Sequence, residues 1–160
     1  MNSGQLILIF GSLIILSTVI VITNRASIET QDERVAIRNL FYATTTAKNL
    51  FEEIKSKIFD EKIISMISIN RDILTPNSML GPDNEIYPQF DDIDDYNDFT
   101  KEIYLENGQV YILKVTVNYV NENHPDFYSS VPTFFKLVTI SCFDQHQNRK
   151  FDLKQIFSIW

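Results

Sequence analysis

The chain has 160 residues, 44% of them apolar, and a formal net charge of −7. That length accommodates one compact domain and one anchoring element, and two full domains do not fit. The negative balance excludes a nucleic-acid surface, which needs clustered Lys and Arg to displace counterions; the single cysteine, Cys142, excludes an intrachain disulfide and a cysteine-rich zinc site.

From Leu6 to Thr23 the sequence reads LILIFGSLIILSTVIVIT, without a charged residue. As a helix rising about 1.5 Å per residue it covers roughly 27 Å, the hydrocarbon thickness of a bilayer. Ser12, Ser17 and Thr18 can return their hydroxyls to carbonyls of their own helix, so they do not disqualify a membrane span. A core helix of a soluble protein would show a polar stripe over such a length. A secretory signal peptide would carry a basic start and a small-residue cleavage site, whereas Met1 to Gln5 holds no Lys or Arg and Asn24 and Arg25 follow the span at once. Arg25, Arg34 and Arg38 come after the span with nothing basic before it. Taken alone, the positive-inside tendency would hold the rest of the chain on the cytoplasmic side.

Beyond the span the pattern becomes amphipathic. Ile37, Leu40, Phe41, Ala47, Leu50, Phe51, Ile54 and Ile58 recur at intervals of three and four, with charged residues on the other faces. No Pro or Gly occurs between Gly11 and Pro76, so nothing forces a break. The spacing predicts one helix from about Gln5 to near Ile58 or Ile67, of roughly 80 Å or more. A domain of the remaining size cannot cover such a length, and its first half requires lipid or other subunits.

Residues 70–98 read as a loop region, punctuated by Pro76, Gly81, Pro82 and Pro88 and ending in the acidic phrase FDDIDDYNDF. Nine of the 21 acidic residues lie between Asp83 and Glu106, against one Lys. Asp91, Asp92, Asp94, Asp95 and Asp98 are the candidate metal ligands: carboxylate oxygens in one loop suit calcium, although the spacing is not that of an EF-hand. A solvated acidic loop is the plainer reading. The period then changes to two. Tyr111, Leu113, Val115, Val117 and Tyr119 share one face of a strand, joined to the preceding KEIYLE through the turn pair Asn107-Gly108. A third strand, Thr133 to Phe143, places Val138, Ile140 and Cys142 on one face, and a fourth, Lys150 to Trp160, does so with Phe151, Leu153, Phe157 and Ile159. The expected fold is α+β: a long N-terminal helix whose amphipathic part covers an antiparallel sheet of about four strands.

Sites of chemistry are sparse. His124 and His146 sit in polar, turn-like contexts without the partners zinc needs. Four glycines leave no phosphate-cradling loop or nucleophile elbow. Cys142 and Trp160 read as core residues. No enzymatic activity is expected.

The leader-like Met1-Asn2-Ser3-Gly4, the apolar run that follows from Gln5, the phrase FDDIDDYNDF, and strands of the form FFKLVTIS and IFSIW resemble type IV pilins and type II secretion pseudopilins, minor pilin-like proteins above all. The resemblance covers the chain in outline. It implies a leader at residues 1–4 cleaved between Gly4 and Gln5 by a prepilin peptidase, a transmembrane and filament-core helix at 5–24, an amphipathic helix at 25–67, and a loop and sheet domain at 68–160. It also implies a single-pass protein of the inner membrane with its C-terminal domain in the periplasm, polymerising with copies of itself or related subunits. The chain departs from that family in having Gln5 where Phe follows the cleavage point and Ile9 where the fifth mature residue is Glu. Register in a filament would then rest on packing, with Ile9, Gly11, Ser12 and Ser17 as the assembly residues. A single-pass protein whose domain binds a partner without polymerising is the alternative.

Overall fold

A computed structural model describes residues 2–63, 70–144 and 149–159. The expectations placed on Met1, Ile67, His146 and Trp160 lie outside them. The chain forms two compact units, residues 1–41 and 42–160.

Helix α1 runs Ser3–Lys55 and contributes to both units. It opens on half of a capping box: the Asn2 N–H donates to Gln5 Oε1 at 3.4 Å, and the Gln5 N–H donates to the Asn2 carbonyl at 2.8 Å. In the first unit the apolar run needs no partner to be helical, because each hydroxyl bonds inward. Ser12 donates to the Ile9 carbonyl, and Ser17, Thr18 and Thr23 to the carbonyls four residues back, each at 2.8 Å.

The second unit holds the sheet. Strands β1 (Thr100–Tyr104), β2 (Val110–Tyr119), β3 (Phe135–Asp144) and β4 (Arg149–Ser158) pair antiparallel in the order β1-β2-β3-β4. The β1–β2 turn depends on Gly108, whose φ of +79° suits a residue without Cβ. Period-two alternation sends Tyr111, Leu113, Val115, Val117 and Tyr119 from β2, and Val138, Ile140 and Cys142 from β3, into one core with Phe157 of β4. Ala43, Ala47, Leu50, Phe51 and Ile54, at the C-terminal end of α1, cover that face. This is the α+β arrangement expected from the sequence.

Two details differ from expectation. Ile37, Leu40 and Phe41 stay exposed, so the buried apolar residues of α1 begin at Ala43, one turn after the buried Asn39. The helix also ends at Lys55 and does not reach Ile58. The Ser56 hydroxyl donates to the Glu53 carbonyl at 2.6 Å, and Ile58 is drawn into a parallel bridge, donating to the Asp91 carbonyl and accepting from the Ile93 N–H at 2.9 Å. A backbone hydrogen-bonded to the acidic loop is no longer available to the helix.

Candidate functional site

Two regions carry the residues of interest. In the first unit the apolar segment of α1 is long and apolar enough to cross a membrane, and its side chains are exposed all round. Gly4 and Gln5 lie in the first helical turn. Ile9 is half-exposed, Ser12 and Ser17 are exposed, and a Cβ built on Gly11 would meet nothing within 4 Å. Nothing among the described residues therefore explains a preference for Gly at position 11.

The second region is the loop Phe90 to Phe99. Its aromatic residues explain why it is ordered: Phe90, Tyr96 and Phe99 pack edge to face at 5.0–5.9 Å, with Tyr87 tilted over Phe99 at 4.7 Å. Tyr96 and Tyr87 donate their hydroxyls to Glu53 of α1 at 2.8 and 3.3 Å, and Lys57 donates to the Phe90 carbonyl. Asn97 ties the loop to β2 by accepting the Val117 N–H at 2.9 Å.

The five aspartates do not form one ligand set. Asp92, Asp94 and Asp95 are buried, and Asp98 is exposed and paired with Lys114 at 2.9 Å. Asp92 accepts the N–H groups of Asp94 at 2.7 Å, Asp95 at 3.2 Å and Glu61 at 2.9 Å; Asp95 accepts those of Asp91 and Asp92 at 3.0 and 3.1 Å. These carboxylates stand in for backbone acceptors and fold the turn around themselves. The group that could hold a cation keeps Asp91 and Asp95 and adds Glu85. Glu85, Asp91 and Asp95 each bring a carboxylate oxygen within 4.8 Å of the others, and burial followed by the Asp91 and Asp95 charges raises the Glu85 carboxyl above its ordinary range.

Asp94 turns away from that group toward Lys136 of β3, which is fully buried. Lys136 Nζ lies 2.5 Å from Asp94 Oδ1, 3.6 Å from Asp60 Oδ2 and 2.5 Å from the Phe59 carbonyl oxygen. Asp60 is held in turn by the Thr75 N–H at 2.8 Å, the Lys62 N–H at 3.1 Å and the Tyr119 hydroxyl at 3.3 Å. Burial pushes the Asp92 carboxyl up to about 6 and the Asp94 carboxyl up to about 7, with Lys136 opposing both shifts. The basic neighbour of the acidic loop thus comes from a strand about forty residues away. Its signal in the sequence is parity: Lys136 falls on the same face as Val138, Ile140 and Cys142. Asp60 carries no comparable signal.

Of the remaining candidates, Cys142 is buried mid-strand and its thiol is pushed up to about 12, as suits a core residue. His124 is exposed, and its backbone N–H donates to Asn121 in a turn.

A long apolar N-terminal helix followed in the chain by a four-strand antiparallel sheet is a pilin-like architecture. No family model, curated protein or solved structure matches the chain.

Proposed function

We propose that the chain is a non-enzymatic structural subunit of a type IV pilus-like or pseudopilus filament. It is held in the inner membrane by α1, with the sheet domain in the periplasm, and it assembles through that helix after removal of residues 1–4. The observation that carries this reading is the apolar segment with no covered face: Phe10, Leu13, Ile14, Ile15 and Leu16 are each more than 50% exposed, and their positions fall on all sides of the helix. Such a surface persists only in lipid or among like helices. Assembly exchanges the first environment for the second, with the small residues Gly11, Ser12 and Ser17 allowing close approach and Ile9 contributing apolar packing.

Two measurements test the proposal. Mass spectrometry of the mature chain should find Gln5 at its N-terminus. In a Ser12→Cys variant, oxidation should give disulfide-linked dimers through the new thiol, the one such bond each chain can form, because Cys142 is buried and its thiol resists ionisation. Monomers alone, with Met1 retained, would favour the membrane-anchored, partner-binding alternative.

A further inference from the structure

A lysine inside a protein normally keeps its ammonium in water, and full burial demands partners for every proton. Lys136 meets that demand with Phe59 O, Asp94 Oδ1 and Asp60 Oδ2, beneath the rings of Phe59 at 4.3 Å and Tyr119 at 5.2 Å. What the ion pair leaves unexplained is Asp94. One cation faces three buried carboxyls, and they are not equivalent. Asp92 accepts three backbone N–H groups, while Asp60 accepts two and a tyrosine hydroxyl. Asp94 has neither kind of support: apart from the approach of Lys136 to Oδ1, its buried oxygens have no hydrogen-bond partner among the described residues. Burial accordingly favours its neutral acid form. A neutral carboxyl against an amine, with a hydrogen-bonded carboxylate beside both and aromatic walls excluding water, is the arrangement an acyl condensation requires.

We propose that Lys136 and Asp94 join in an intramolecular isopeptide bond between Lys136 Nζ and Asp94 Cγ, with Asp60 as the proton carrier. The Lys136 ammonium gives one proton to the Asp60 carboxylate, and the freed amine attacks Asp94 Cγ. A second proton passes from the nitrogen, by way of Asp60, to the departing Asp94 hydroxyl. The Cγ–O bond breaks, one water leaves, and an amide N–H remains with Asp60 protonated. Nothing is oxidised or reduced, and no co-reactant is needed. The bond ties β3 to the acidic loop. For a subunit that bears load in a filament it would be a covalent lock, although the chemistry does not depend on that role.

The test is proteolytic digestion of the full-length chain, purified from membranes in detergent and then denatured, with mass spectrometry of the peptides. The expected product is the Asp94 peptide joined to the Lys136 peptide, lighter than their sum by one water and uncleaved after Lys136. Recovery of both as linear, unlinked peptides overturns the proposal and leaves an ordinary buried ion pair. Asp94→Asn should give the same linked mass, with ammonia leaving in place of water. Asp60→Asn should leave the chain folded by circular dichroism and unlinked; efficient linkage in that variant would remove Asp60 from the mechanism. The wild-type digest decides the central point even if a substitution impairs folding.

Discussion

Asp92 has a carboxyl whose protonation depends on the fold. It is buried at the start of the acidic turn and titrates near 6, against an ordinary value of 3.8, chiefly because burial disfavours its charge. In the unfolded chain it releases its proton near pH 4, so between pH 4 and 6 the folded state binds more protons than the unfolded one. Stability contributed in this way is fully present below pH 4 and is lost as the pH rises through 6. At about 1.4 kcal/mol for each pH unit separating the folded and unfolded values, the effect is on the order of 2–3 kcal/mol. Thermal unfolding of a chain beginning at Ser27 should therefore give a higher Tm at pH 5 than at pH 8. Asp92→Asn should flatten that slope while lowering Tm at acid pH, because an amide offers one acceptor oxygen where the carboxyl used two. A rising Tm across the same interval would contradict the burial of Asp92. This residue also marks where sequence reading stops. The acid cluster is visible in FDDIDDYNDF, but its partners are not, because Lys136 and Asp60 are brought to it by tertiary packing. A solvated or calcium-bound loop is the natural expectation from composition, which records charge and not which oxygens turn inward.

At the scale of elements, α1 divides by what covers it. Ile54 is fully buried against the sheet and Phe41 is two-thirds exposed, though both belong to one apolar periodicity in the sequence. In the chain beginning at Ser27, Ile54→Ala should cost about 2–5 kcal/mol in urea unfolding, through lost burial and a residual cavity. Phe41→Ala should change stability by less than about 0.5 kcal/mol. In the full-length protein the ranking should invert for assembly, with Phe41→Ala reducing filament yield if neighbouring subunits cover that face. Gly11 extends the same logic into the apolar segment. Since open space surrounds its Cβ position, Gly11→Leu should insert and accumulate in the membrane normally and yet lower filament yield by obstructing helix approach. Unchanged yield would argue against a packed helical core. The strands are the most legible elements, since β2 and β3 alternate strictly enough for parity alone to identify their buried faces. The end of α1 is less so: helical propensity persists past Lys55, and it is hydrogen bonding of Ile58 to Asp91 and Ile93 that diverts the chain.

For the whole molecule, the division into units at residues 41 and 42 predicts which part drives association. A chain beginning at Ser27 retains every α1 residue that packs on the sheet and loses the exposed apolar run. It should be soluble and sediment as a monomer, whereas the full-length chain should require detergent. Filaments formed by the shortened chain would move the assembly determinant into the sheet domain. The meander has a consequence for biosynthesis. Each strand pairs with the one synthesised just before it, so the sheet can grow by local hairpins at small loop-closure cost. The contact of Lys136 with Phe59 spans 77 residues and cannot form until β3 emerges, long after the apolar helix. Until then Asp60 and Asp94 have no lysine to face and must remain hydrated, which keeps the acidic loop open well after the apolar helix has been made. Closure of the domain is thereby timed to the last part of translation.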